Sequence, residues 1–169
     1  ITCYHQYPAL LVTPRRELQL SNRVKEKIAL LLATFIGRNY YTNTPAWSLE
    51  AIADRLGVPV MSVETVLTTI LRAGYITETA DDPPLYLPAR PFETISVKEL
   101  LDAMRTADEE VSLRAEILPH EAEVERVLAR VDEAVDASLH GSSLRELAMT
   151  SVPPTNAVEQ IKGDAGIKL

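Results

Sequence analysis

The stretch that most restricts the fold is residues 48–88, SLEAIADRLGVPVMSVETVLTTILRAGYITETADDPPLYLP. Ser48 stands before an apolar-periodic run and can accept hydrogen bonds from the first free N–H groups of a helix. Leu49, Ile52, Ala53 and Leu56 recur at helical spacing and mark one buried face. Gly57 follows where a left-handed residue is needed. Pro59 suits the first turn of a second helix, because it has no N–H to leave unpaired. Val60, Val63, Val66, Leu67, Ile70 and Leu71 form the buried stripe of that helix, and Gly74 ends it. So short a turn makes the two helices cross steeply.

After Gly74 the period changes. Tyr75-Ile76-Thr77-Glu78-Thr79 is rich in β-branched and aromatic residues, as strands are. Asp81-Asp82-Pro83-Pro84 marks a turn, Leu85-Tyr86-Leu87 returns as a second strand, and Pro88 stops it. Helix, tight turn, helix and hairpin make a winged helix. The expected fold is mainly α with a small β-hairpin. The winged helix-turn-helix occupies 21–95 and C-terminal helices occupy 96–150. Residues 1–20 are a connector and 151–169 a flexible tail.

The flanking helices are legible from their ends. A long helix is expected over 23–37, capped by Ser21 or Asn22, with Val24, Ile28, Leu31, Leu32, Phe35 and Ile36 inward and Gly37 closing it. Residues 38–47 form a loop, with Trp47 under the helix-turn-helix. Ser96-Val97-Lys98-Glu99 and Ser143-Leu144-Arg145-Glu146 are capping boxes, each opening a helix. Between them Pro119 starts a helix that runs to Leu139. Its apolar positions Val124, Leu128, Val131 and Val135 are spaced 4, 3, 4, the opening of a heptad pattern. Two readings fit that seam: packing on its own domain, or a homodimer contact.

Catalytic chemistry finds no constellation. His5, His120 and His140 are scattered, Cys3 is the single cysteine, and Glu121, Glu123 and Glu125 alternate around a helix as a solvated face. No glycine-rich phosphate loop exists. No metal, cofactor or catalytic residue is therefore expected. Ser62, Glu64, Thr65, Thr68 and Thr69 lie on the open side of the second helix, where they form a partner-facing row or a plain polar face.

Charge weighs against nucleic acid in this reading. Residues 48–90 hold three basic side chains (Arg55, Arg72, Arg90) against six acidic ones. The helix from Pro59 to Leu71 has no lysine or arginine, and the wing tip carries Asp81 and Asp82. A specific binder gains much of its affinity by neutralising phosphates. By contrast, residues 1–38 carry six basic side chains against two acidic ones, in a chain of net charge −7. Arg15, Arg16, Arg23, Lys25 and Lys27 thus form a basic segment suited to an anionic surface.

Two resemblances follow. ITCYHQYPALL, TPRRELQLSNRVKEKIALLL, WSLEAIADRLGVPVMSVETVLTTILRAGYI and YLPARPFETISVKELLDAM together resemble the cytoplasmic C-terminal region of the YihY/BrkB membrane proteins, labelled ribonuclease BN or tRNA-processing ribonuclease, over roughly 4–148. That resemblance implies a fragment just past a last transmembrane helix, on the cytoplasmic face of a bacterial inner membrane. Its partner would be the membrane-spanning remainder of the same protein, with homodimerisation through the heptad seam as a second contact. It supplies no catalytic residues. SLEAIADRLGVP, VLTTILRAGYI and ISVKELLDAM are also similar to iron–sulfur-responsive winged-helix repressors. Residues 106–119 contain no cysteine, so a cluster of that kind has no ligands here. The expectation is a non-catalytic interaction or regulatory module. A DNA-binding transcriptional regulator is the alternative, and an RNA-processing enzyme survives by family label alone.

Overall fold

A 20-residue helix, α1 (Asn22–Tyr41), is the element most of the others pack against in the computed structural model, which describes residues 20–107 and 118–150. Ile28, Ala29, Leu32, Ala33 and Ile36 put a stripe of side chains, each at most 5% exposed, down its inner side. β1 (Trp47–Ser48) follows, then α2 (Leu49–Leu56), α3 (Val60–Arg72), β2 (Ile76–Glu78) and β3 (Leu85–Pro88). A 3-10 turn (Phe92–Thr94), α4 (Val97–Thr106), α5 (Ala122–Leu139) and α6 (Leu144–Thr150) complete the order. The fold is the expected one: mainly helical, with a winged helix-turn-helix and further helices.

Local signals set most of the boundaries. Ser48 Oγ accepts from Ala51 N at 3.3 Å and starts α2; Gly57 ends it at φ 65°. Both capping boxes form. Glu99 N donates to Ser96 Oγ at 3.1 Å while Ser96 N donates to Glu99 Oε2 at 2.7 Å. Glu146 N and Ser143 N make the same pair at 3.2 and 3.1 Å. The two boxes lie side by side, because Val97 N donates to Ser142 O and Leu144 N to Ile95 O, each at 2.9 Å. This bridge seats α6 in the core, with Leu144 and Ala148 buried against α1.

Four expectations need correction. The wing is a three-stranded antiparallel sheet in the order β1-β3-β2, not a lone hairpin. Trp47 pairs with Tyr86, so the segment before α2 is strand and not loop. α1 does not stop at Gly37 but runs on to Tyr41. Gly37 is there for close approach: a Cβ at that position would stand 2.9 Å from both the Ala148 Cβ and the Phe92 ring. Val24 is not inward but 43% exposed. The connector up to residue 19, with Arg15, Arg16, Cys3 and His5, and the tail 151–169 lie outside the described residues.

The last turn of α1 is tied to the 3-10 turn through Tyr41. Its hydroxyl donates to Glu93 Oε2 at 2.5 Å and accepts from Phe92 N at 3.2 Å, and Arg145 sits 5.2 Å over its ring. The Tyr41 hydrogen bond, followed by backbone donation, holds the Glu93 carboxyl below its ordinary range. A lowered carboxyl stabilises the fold above its unfolded pKa and loses that contribution as pH falls through the folded value. Tyr41→Phe leaves the Phe92 amide without this partner and is expected to cost about 1–2 kcal/mol in urea unfolding at neutral pH. The gap from the parent chain should narrow in acid.

Candidate nucleic-acid interface

The face of α3 that points away from the core begins at its N-terminus. Val63, Val66, Leu67 and Ile70 are buried, which turns Met61, Glu64, Thr65 and Thr68 outward. Val60 and Met61 are 40% and 54% exposed. Val60 therefore leaves the buried stripe to which its spacing assigned it. Ser62 leaves the partner-facing row for the opposite reason: it is 4% exposed, between Val63 and the α2–α3 turn in sequence and inside the fold. Thr65 Oγ1 donates to Met61 O at 2.8 Å and Thr69 Oγ1 to Thr65 O at 3.3 Å, so both hydroxyls bond back to their own helix. Thr69 is half-buried, and Glu64, Thr65 and Thr68 remain on the open face.

No acidic residue lies in the first turn of α3. Its N-cap, Pro59, makes no side-chain cap, and Ser62 N donates to Pro59 O at 2.9 Å, so the positive end of the helix dipole meets no carboxylate in its own first turn. Two basic residues of α1, Arg23 and Lys27, come to the α2–α3 turn that precedes α3. A cavity of about 320 Å³ opens where Val24, Ile28 and Leu31 of α1 face Leu56 and Val58 of the α2–α3 turn, with Arg23 and Lys27 in its lining. Arg23 and Lys27 make no ion pair among the described residues, whereas Glu26 between them in sequence is taken by Arg105 at 2.7 Å. Lys25 differs from its neighbours in being buried, at 9% exposure. Arg55, in the last turn of α2, lies 5.9 Å over the Phe35 ring.

The wing is less basic. Arg90 is held over the Tyr75 ring at 5.3 Å and faces Glu99 at 3.7 Å. Burial, then the charge of Glu78 beside it, pushes the Tyr86 phenol up. Asp81 and Asp82 are exposed at the wing tip. The interface thus has cations at the α1 end, a neutral-to-acidic α3 face and an acidic wing.

α5 stands apart from the core. It buries none of its residues, and Val124, Val127, Leu128 and Val131 are each 53–54% exposed. Val135 is half-buried, and Val127, absent from the expected seam, shares its exposure. Lys98 of α4 reaches toward Asp136 at 3.8 Å and is one of the polar links to this helix. Among the described residues no group of three or more His, Cys, Asp or Glu is placed to hold a metal.

No protein-family model matches the sequence, and no curated protein matches it. Solved structures do match by fold. The crystal structure of Staphylococcus aureus CymR is 19% identical, with a TM-score of 0.59 over 76% of this chain and 98% of that one. CymR (YrzC), the global cysteine regulator of B. subtilis, is 18% identical, with a TM-score of 0.58 over 80% and 99%. T. potens IscR is 18% identical, with a TM-score of 0.54 over 81% and 95%. The likeness takes in nearly the whole of each of these chains. At these identities the likeness is one of fold: a winged helix-turn-helix with further helices, matched as a whole chain and not as the appendage of a membrane protein.

This overturns the YihY/BrkB resemblance and what it implied. The membrane-spanning remainder as partner, the place on the inner face of a membrane, and the ribonuclease label all fall with it. Among the described residues no helix is long and apolar enough to cross a membrane. The reading of nucleic acid as an unlikely partner falls too. It counted charges along residues 48–90, while the fold carries Arg23 and Lys27 from α1 to the helix-turn-helix turn.

Proposed function

We propose that this chain is a winged-helix transcriptional regulator that binds duplex DNA as a dimer, with α5 as the dimer helix. The observation that carries the reading is the exposed start of α3, with Val60 and Met61 turned outward and no acidic residue in its first turn, following an α2–α3 turn beside which lie Arg23 and Lys27, which make no ion pair among the described residues. In helix-turn-helix proteins the first residues of the second helix reach base edges in the major groove while neighbouring elements hold the backbone. Met61 can pack on a thymine methyl, Thr65 and Thr68 can accept or donate at base edges, and Arg23 and Lys27 serve phosphates. The fold shared with the CymR and IscR proteins supports the same reading.

Dimerisation rests on α5. Eighteen residues make a rod of about 27 Å. Val124, Val127, Leu128, Val131 and Val135 lie along it at helical spacing, and a second copy laid on them would remove a continuous apolar strip from water.

Fluorescence anisotropy on a labelled random-sequence duplex tests the phosphate contacts. Affinity should fall steeply between 50 and 200 mM salt. Arg23→Ala and Lys27→Ala should each weaken binding on every sequence and flatten the log–log salt slope by about 1 per contact removed. Binding that ignores salt, or slopes unchanged in both variants, would refute the role given to α1.

A further inference from the structure

We propose that the cavity between α1 and the α2–α3 turn is a binding site for a medium-chain aliphatic carboxylate. Its lining is a strip of aliphatic side chains from two elements, Val24, Ile28 and Leu31 facing Leu56 and Val58. Its polar groups are two cations of one sign, Arg23 and Lys27, one helical turn apart on α1. An acyl tail matches the first set and a carboxylate the second. The nearest acidic group in sequence, Glu26, does not neutralise these cations, since Arg105 of α4 holds it. The volume, about 320 Å³, sits at the lower end of the roughly 300–1,000 Å³ typical of small-molecule sites. It suits an unbranched chain of modest length and not a bulky ring system.

The site also suggests regulation, and this step rests on the proposed DNA-binding function. The cations that would hold the carboxylate are the ones assigned to DNA phosphates. One anion displaces the other, so the ligand would act by releasing DNA.

Isothermal titration calorimetry of the full chain, without DNA, decides the site itself. Hexanoate, octanoate and decanoate, each below its micelle concentration, are the probes. Affinity should rise about threefold to fourfold per added CH₂ until the cavity is filled. Decanol should bind at least tenfold more weakly than decanoate. Val24→Glu, at an exposed helix position, should abolish uptake, whereas Val131→Glu on α5 should leave it unchanged. Failure of the full chain to take up decanoate overturns the proposal, whether the cavity stays empty or the chain's own residues 1–19 fill it. So does equal binding of decanol, or uptake that Val24→Glu does not alter. Anisotropy then tests the regulatory step: decanoate should weaken DNA binding of the parent chain. Loaded protein that holds DNA as tightly as free protein refutes the competition. Absence of any DNA binding refutes the proposed function and leaves the calorimetric result standing.

Discussion

A valine at position 37 should leave the chain largely unfolded at 37 °C. Gly37 lies in the last third of α1, where α6 and the 3-10 turn press against it from outside. A single added Cβ would meet the Ala148 Cβ and the Phe92 Cδ2 at 2.9 Å, and Phe92 Cε2 at 3.0 Å. None of these can swing away, because Phe92 and Ala148 are fully buried. Overpacking a filled core typically costs about 1–3 kcal/mol for small additions. Valine brings two further methyl groups and a stiff χ1, so the cost should exceed about 4 kcal/mol, a large part of a typical stability of roughly 5–15 kcal/mol. Gly37→Ala separates packing from helix preference. Propensity alone would stabilise the helix by about 1 kcal/mol. The close approach predicts instead a net loss of about 1–2 kcal/mol in urea unfolding. A stabilised Gly37→Ala chain would show that α6 does not need the glycine.

The second large effect should come from α5 and should leave the core intact. Val127→Glu with Val131→Glu places two charges on the exposed apolar face of a helix that has no fully buried residue among the described ones. The urea midpoint of the core should therefore change little. Sedimentation should find the parent chain dimeric and the double variant monomeric. DNA affinity should drop about 10²–10⁴-fold, since joining two half-site binders raises avidity by about that factor. A double variant that is monomeric yet holds DNA as tightly as the parent would break the link between dimer and DNA.

The parts of this fold that were legible in the sequence are those set by neighbours in the chain. Ser48, Gly57 and the boxes at Ser96–Glu99 and Ser143–Glu146 act within three residues of themselves, so their spacing alone announces them. β1 was not legible, because two residues carry no period. They become strand only when β3 comes alongside, as Trp47 meets Tyr86. Gly37 misled for a related reason: a glycine near a helix end resembles a cap until Ala148, more than a hundred residues away, is seen against it. The site suffered most. A count of charges along residues 48–90 treats the binding face as a stretch of sequence. A face is a surface, and Arg23 and Lys27 reach the α2–α3 turn from α1. The membrane-protein resemblance drew on segments over roughly 4–148, and the helix-turn-helix pattern among them fixes a buried stripe and two caps and says little about what surrounds them.

Selection from randomised duplexes, by repeated capture on the full chain and sequencing, tests the regulator reading most directly. A dimer paired through α5 that presents two α3 helices should enrich a pseudo-palindrome whose half-sites are centred one helical turn, or a whole number of turns, apart. Thymine should be favoured where Met61 meets the groove. A pool that emerges as random as it entered, from a chain confirmed to be folded, would contradict the reading that this winged helix is a sequence-specific DNA binder.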